Sequence, residues 1–259
     1  MPVSAAHVEP VRGAPCWVNL LTHDLRAAKA FYSEVLGWSF RRGSLGEEFA
    51  VALLDGQPVA GISALAPGLR TAVAWTPYFA VDDADDTADR VRERGATVAV
   101  GPLKFGWGRA ALAADRDGAV FGFWEGLALP WSIGEGRAPG FLELRTRDAF
   151  DAAIFYGGVF DWSKPGGCEV NYAHDRVQVS DRTHTVATLY GGAVEAAPDP
   201  QVRPRWRMHL RVDDVAAVTA AALAAGGTVL PMTPVEGRPG NHAVVRDPDG
   251  AFFAVTDSP

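Results

Sequence analysis

Apolar and polar residues follow two different periods along this chain, and the change from one period to the other recurs. Residues 16–21 form a short apolar run that predicts a strand. Beyond it, apolar residues recur at three- and four-residue steps, which predicts a helix capped by Asp24 and ended at Gly37. Further strands are predicted at residues 49–54 and 59–65, with Asp55-Gly56 as the hairpin turn. This quarter of the chain therefore predicts one βαβββ unit.

The second quarter repeats this order. A strand at residues 78–81 precedes a helix that is capped near Asp82 or Asp83 and ended at Gly95. Strands at residues 109–114 and 119–125 follow, joined by a turn at residues 115–118. Each half of the chain is thus expected to hold two βαβββ units, four in all.

The two halves are also alike residue by residue. Asp24, Phe31, Tyr32 and Trp38 recur in the second half at a constant offset (148 − 24 = 124), as Asp148, Phe155, Tyr156 and Trp162. Asp115-Arg-Asp-Gly-Ala recurs as Asp247-Pro-Asp-Gly-Ala, so the offset changes only by small loop insertions. The pattern predicts an α+β protein with a domain at 13–127, a Gly- and Pro-rich linker at 128–140, and a second domain at 141–258.

The amino-acid composition and net charge argue against several classes of partner. The chain has 259 residues, 48% hydrophobic and 21% charged, with a net charge of −7. The negative charge argues against nucleic acid or an anionic membrane surface as a partner, and no apolar run approaches a membrane span. No apolar leader is visible at the start, and both cysteines are interpreted as reduced, so we expect a cytoplasmic protein, monomeric or homodimeric.

These motifs resemble the vicinal oxygen chelate superfamily. The resemblance rests on Thr22-His-Asp24, on Ala-x-x-Phe-Tyr and Leu-Gly-Trp in the first helix, on Val-Asp-Asp before the second helix, and on Asp-Pro-Asp-Gly-Ala before the last strand. The chain is similar in particular to two-domain, glyoxalase- and bleomycin-resistance-like proteins of actinobacteria. The resemblance implies tandem domains, each with two βαβββ modules that form a cupped, partly open barrel. Functions in this superfamily range from glyoxalases and dioxygenases to non-catalytic drug-binding proteins, so the fold alone does not fix the activity.

In the metalloenzymes of this superfamily, the resemblance implies His and Glu ligands for a divalent ion at fixed strand positions. Six of these positions can be located by counting from the motifs, and none holds a usable ligand. They are Trp17, Thr76 and Gly122 in the first half, and Phe141, Arg207 and Ala254 in the second half. We therefore expect no metal and no other cofactor.

Strand alternation predicts what lines the two cups instead, because side chains two residues apart share a face. The first cup is expected to be aromatic and neutral. A Gly-flanked loop at residues 104–108 is open to two interpretations, a lid over the cup or a packed surface loop. The chain has 8 Trp, 13 Phe and 5 Tyr, more than two small cores are expected to need, which favours a flat, conjugated ligand. The predicted ligand-binding residues are Trp17, Asn19, Tyr78, Phe105, Trp107, Trp124, Phe141 and His242.

The second cup is expected to be charged. Glu143 and His209 each lie two residues along a strand from a position that lacks the expected metal ligand, Phe141 and Arg207 respectively. Arg207 and Arg211 flank His209 on its strand. One interpretation is an acid/base couple, with Glu143 orienting His209 and an arginine holding an anionic oxygen. A buried ion-pair network and a displaced metal site are the alternatives.

Three functions remain open from the sequence. The first is a metal-independent enzyme that acts on an aromatic or polyketide-like molecule by proton transfer, cyclisation or cofactor-free oxygenation. The second is a non-catalytic protein that binds such a molecule and confers resistance to it. The third is a metal-dependent glyoxalase-like lyase or dioxygenase with non-standard ligands.

Overall fold

The computed structural model describes residues 9–43, 46–69, 72–106, 108–129, 131–136, 138–181, 184–197, 202–231 and 240–257. The first half contains, in chain order, β1 (Pro15–Leu21), α1 (Leu25–Leu36), β2 (Ser39–Arg42), β3 (Phe49–Leu54), β4 (Gln57–Ser63), α2 (Ala66–Leu69), β5 (Ala74–Val81), α3 (Ala84–Glu93), β6 (Thr97–Phe105), β7 (Gly108–Ala114) and β8 (Val120–Gly126). The second half contains β9 (Phe141–Arg145), α4 (Ala149–Phe160), β10 (Glu169–Tyr172), β11 (Arg176–Ser180), β12 (Thr185–Tyr190), β13 (Arg205–Arg211), α5 (Val215–Ala224), β14 (Thr228–Pro231), β15 (His242–Arg246) and β16 (Phe252–Thr256).

The strands form two eight-stranded mixed sheets with the same topology. Their orders are β2-β3-β4-β1-β5-β8-β7-β6 and β10-β11-β12-β9-β13-β16-β15-β14. In each quarter of the chain the strand before the long helix pairs in parallel with the last strand, whereas the other pairs are antiparallel. The α+β fold with four βαβββ modules is confirmed. Among the described residues, no helix has the length and apolarity to cross a membrane.

Local sequence determines where the helices begin and end. The Asp24 carboxylate accepts hydrogen bonds from the backbone N–H groups of Arg26 and Ala27, and α1 ends at Gly37 with a φ of 67°. Both ends were predicted. In α3 the capping carboxylate belongs to Asp83, the second of the two candidates.

The chain divides into two compact units, and each unit combines separate stretches of sequence. The first unit comprises Met1–Trp17, Thr76–Gly134 and Phe141–Trp206. The second comprises Val18–Trp75, Glu135–Gly140 and Arg207–Pro259. The first unit thus contains the second and third βαβββ modules, and the second unit contains nearly all of the first and fourth.

Each unit has a core of aromatic rings around one buried tyrosine. In the first unit, α3 and α4 pack together, and the Tyr156 ring lies between the rings of Phe121, Phe160 and Trp206. In the second unit, α1 packs on α5, and the ring of Tyr32 contacts those of Trp38, Trp75 and Phe253.

These cores correct one expectation. The aromatic content is expected to exceed what two small cores need, yet four of the tryptophans are 4% exposed, and their rings contact the core tyrosines. They are Trp38, Trp75, Trp162 and Trp206. The two cores therefore bury more aromatic side chains than the amino-acid composition led us to expect.

Candidate functional site

One face of the β5–β8 pair in the first unit carries partly accessible aromatic rings. Tyr78 of β5 pairs in register with Gly122 of β8, and two residues further along the same strands Ala80 pairs with Trp124. Because alternate residues share a side, Thr76, Tyr78, Gly122 and Trp124 lie on one face, here called the aromatic face. Tyr78 and Trp124 are both half-buried. Their rings are thus anchored in the sheet while part of each remains accessible.

The Tyr78 ring occupies the space above Gly122. A Cβ atom at position 122 would lie 2.8 Å from Tyr78 Cζ and closer still to Cε1 and Cδ1, so no larger residue fits there without moving the ring. Position 122 is the one at which the superfamily resemblance implies a carboxylate ligand. In this sheet a phenol ring takes that place.

Trp124 is held in a similar way. A Cβ atom at Gly108 of β7 would lie 2.5 Å from Trp124 Cζ2, and the indole Nε1 donates a hydrogen bond to the Leu127 carbonyl at 3.1 Å. These contacts fix the position of the indole ring. A rigid aromatic surface loses little conformational entropy when a ligand stacks on it.

Trp17 and Phe105 are also half-buried residues of the first unit. The ring centroid of Trp17 lies 5.6 Å from that of Trp131. Phe105 ends β6, and its pairing with Gly108 puts it on the aromatic face at the edge of the sheet. The segment interpreted as a lid or a packed surface loop thus joins the paired ends of β6 and β7. Trp107 lies outside the described residues.

Two hydroxyl groups of β5 have no hydrogen-bond partner among the described residues. The Thr76 side chain is 0% exposed, and its Oγ1 is unpaired. The Tyr78 hydroxyl also makes no described hydrogen bond, and burial raises the pKa of this phenol to about 12, with a smaller contribution from Cys16. Both groups therefore remain neutral at physiological pH and can donate or accept a hydrogen bond.

The third module presents a polar counterpart, also within the first unit. Glu143 of β9 pairs in register with Thr188 of β12, which pairs with Gln178 of β11. Glu143 is 3% exposed, and the Nε of Arg145 donates a hydrogen bond to its Oε1 at 3.3 Å. The Thr188 hydroxyl is fully buried and has no hydrogen-bond partner in the part of the chain that the structure describes. This row of carboxylate, hydroxyl and amide groups is here called the polar row.

The remaining predicted residues of the second sheet have different degrees of exposure. Phe141 begins β9 and is half-buried. In the second unit, Arg207 and His209 are buried in β13, and His209 pairs in register with Ala254. Arg211 is exposed at the end of β13, and His242 is half-buried at the start of β15. Asn19 is buried in the second unit, where its Nδ2 donates to Ser63 Oγ at 2.8 Å.

The described residues do not fit a divalent ion at the superfamily positions. Tyr78 fills the space at Gly122, Ala254 has no donor atom, and Arg207 is a cation. Within the described ranges, no three His, Cys, Asp or Glu residues are grouped so that they could hold an ion.

The repeated motifs serve to fix the modules within each unit. In the second unit, Trp75 Nε1 donates to the Tyr32 hydroxyl at 3.0 Å, which donates to Asp247 at 2.9 Å. In the first unit, Trp206, Tyr156 and Asp115 form the same chain of hydrogen bonds, with distances of 2.9 and 2.8 Å. Burial raises the pKa values of both carboxyls and both phenols. Their positions in the core account for the recurring Phe-Tyr and Asp-x-Asp-Gly motifs.

The second aspartate of each turn forms a further link. Asp249 accepts hydrogen bonds from the Thr22 hydroxyl at 2.5 Å and from the His23 ring at 2.7 Å. Asp117 accepts hydrogen bonds in the same way from Thr146 at 2.7 Å and from Arg147. Sequence inspection identified these aspartates only as turn residues, because their partners lie far away along the chain.

Comparisons with known proteins agree with this architecture. The model of the Glyoxalase/Bleomycin resistance protein/Dioxygenase superfamily matches residues 15–123, and that of a glyoxalase-like domain matches residues 142–256. CFP32 of Mycobacterium tuberculosis, provisionally named a glyoxylase, is 32% identical over 260 residues that cover 94% of each chain. The anthracycline biosynthesis protein DnrV of Streptomyces peucetius is 30% identical, covering 95% of this chain and 93% of its own. The chain belongs to the glyoxalase/bleomycin resistance protein/dioxygenase, or vicinal oxygen chelate, superfamily.

Solved structures support the fold. The Mn(II)-bound glyoxalase of Novosphingobium aromaticivorans has a TM-score of 0.59 and 17% identity, covering 95% of this chain and 82% of its own. The 2,2',3-trihydroxybiphenyl 1,2-dioxygenase of Sphingomonas wittichii has a TM-score of 0.59 and 16% identity, covering 95% of this chain and 90% of its own. At this level of identity the likeness concerns the fold alone.

Proposed function

We propose that this protein binds a flat aromatic or polyketide-like small molecule and acts on it without a divalent ion. The observation that carries the proposal is the position of the Tyr78 ring above Gly122. The place of a carboxylate ligand is taken by an apolar ring surface, which favours stacking over cation binding. The ligand is expected to stack on the aromatic face.

Two further observations support this class of ligand. The surface formed by Tyr78 and Trp124 is partly accessible and has no charged residue among the four that define the aromatic face. Relatives of about 30% identity are named for anthracycline biosynthesis in two Streptomyces strains. The contacts and the relatives therefore point independently to an aromatic small molecule.

Replacing Trp124 by Leu tests the binding site. The change removes a stacking surface, so we expect the affinity for 1,8-dihydroxyanthraquinone to fall about tenfold. Isothermal titration calorimetry measures the affinity directly. Tyr172→Ser is the matched control, because this exposed ring stacks on Phe150, outside the aromatic face. Equal affinities for the wild type and Trp124→Leu would place the ligand elsewhere.

For the chemical step, we propose proton transfer with His209 as the base. An imidazole exchanges protons near neutral pH, and His209 is completely buried in β13. The reaction consistent with these groups is removal of a proton from an acidic C–H or O–H of the ligand and its return at another atom. Arg207 or Arg211, on the same strand as His209, is proposed to hold the resulting anionic oxygen. Glu143 belongs to the first unit and is proposed as a separate acid/base group there.

Chromatographic detection of product on prolonged incubation separates catalysis from simple binding. We expect His209→Ala to abolish product formation while ligand affinity stays within about twofold of the wild type. Turnover that is unchanged in this variant would refute the assignment of His209. Stoichiometric binding by the wild type without any product would instead identify a binding protein of the resistance type.

A further inference from the structure

Thr76 has an unusual environment for a buried threonine. Its side chain is 0% exposed, and its hydroxyl oxygen has no hydrogen-bond partner among the described residues. Buried hydroxyls are nearly always paired, because an unpaired one has lost its hydrogen bonds to water and gained none in return. The unliganded protein therefore carries a free-energy cost at this position.

Thr76 is also well placed with respect to the aromatic face. It lies two residues before Tyr78 on β5, so both side chains project from the same side of the sheet, about 7 Å apart along the strand. The Tyr78 hydroxyl likewise has no described partner. The side of the sheet that carries the aromatic face therefore holds two hydroxyl groups without a described partner, and that of Thr76 is fully buried beneath it.

We infer that Thr76 Oγ1 forms a hydrogen bond with an oxygen atom borne by the ring of the bound aromatic molecule. The inference rests on the proposed function and narrows its ligand class to oxygenated aromatics, namely phenols and quinones. A phenolic hydroxyl can donate to Thr76, and a quinone carbonyl can accept from it. An aromatic hydrocarbon can stack on the rings but leaves the threonine unpaired.

Selectivity follows from this pairing. A site with a buried hydroxyl discriminates against a ligand that lacks the matching oxygen, because the hydroxyl then stays unsatisfied in the complex. Shape and stacking are nearly the same for a ring that carries a methyl group in place of the oxygen. A pair of such ligands therefore isolates the contribution of Thr76.

The experiment uses 2-naphthol and 2-methylnaphthalene as probes, with tryptophan fluorescence to measure affinity. In Thr76→Val, which keeps the side-chain shape, we expect about tenfold weaker binding of 2-naphthol and unchanged binding of 2-methylnaphthalene. Removal of the unpaired hydroxyl should also raise the Tm of the unliganded protein by about 2–4 °C. Thr76→Ser, which retains the hydroxyl, should restore selectivity for 2-naphthol.

Thr188→Val is the matched control, because Thr188 is equally buried, also has no described hydrogen-bond partner, and belongs to the polar row. It should raise the Tm without changing either affinity. If Thr76→Val changes neither affinity, or weakens both probes equally, the inference is wrong while aromatic binding stands. Loss of 2-naphthol affinity in Thr188→Val would indicate that the ligand oxygen binds at Thr188 in the second sheet, and this would overturn the inference. If neither probe binds the wild type, the proposed function fails as well.

Discussion

At the scale of single residues, the same tyrosine has the same role twice. Tyr32 and Tyr156 each accept a hydrogen bond from a tryptophan indole and donate one to a buried aspartate. The ring of each also lies at the centre of an aromatic cluster. A single side chain therefore satisfies two buried polar groups and fills the core at the same time.

Tyr32→Phe tests this role. The change keeps the ring but leaves Asp247 and the Trp75 N–H short of a partner, so we expect the free energy of unfolding to fall by about 1–3 kcal/mol. Urea denaturation followed by circular dichroism measures the change. Tyr78→Phe is the control, because that hydroxyl has no described partner, and its effect should stay within about 0.5 kcal/mol. A Tyr32→Phe protein as stable as the wild type would contradict the role assigned to the hydroxyl.

Residue-scale chemistry was only partly predictable from the sequence. The positions of Tyr78 and Trp124 on one face follow from strand alternation, and the register confirms that they lie on paired strands of one sheet. The hydrogen bonds that Asp115 and Asp247 accept from the core tyrosines could not be predicted, because each tyrosine lies more than 40 positions away in sequence. Alternation assigns a side chain to a face, but it does not identify its distant partner.

At the scale of elements, glycines in the strands determine how close the aromatic rings lie to the sheet. Gly122 and Gly108 have no side chain, which allows Tyr78 and Trp124 to lie close to the sheet. Glycine normally weakens a strand, so its presence in a strand often marks close approach by another group. Here that group is an aromatic ring in both cases.

Gly122→Ala is expected to displace the Tyr78 ring. Because the added Cβ would lie 2.8 Å from Tyr78 Cζ and closer still to two other ring atoms, we expect a loss of about 1–3 kcal/mol in the free energy of unfolding and weaker binding of 1,8-dihydroxyanthraquinone. Thermal denaturation and calorimetry measure the two effects. Gly68→Ala in α2 is the control, because a Cβ there meets no atom within 4 Å. Unchanged stability and affinity in Gly122→Ala would show that the ring does not need this space.

Helix ends and the hairpin turn were predicted more closely than strand ends, since β5 begins at Ala74, four residues before its predicted start. The Asp24 cap, the Gly37 stop and the Asp55-Gly56 turn depend on local backbone chemistry, and the structure has all three. The glycine contacts could not be anticipated in the same way. They depend on which strands become neighbours and on their register, and both are set by long-range packing.

At the scale of the whole molecule, duplication in the sequence does not reveal how the modules group into compact units. The repeat shows two similar halves, and each half supplies one eight-stranded sheet. The compact units instead combine parts of both halves, since α1 packs on α5 and α3 packs on α4. The aromatic cores lie where these helices pack, so the choice of partner depends on contacts between distant segments.

The central claim is that the aromatic face binds an aromatic molecule without a divalent ion. Calorimetric titration of 1,8-dihydroxyanthraquinone into the protein, before and after dialysis against EDTA, tests it most directly. We predict one binding site per chain and a Kd that changes by less than about twofold on chelation. Binding that disappears after chelation and returns with added Mn(II) would contradict the claim.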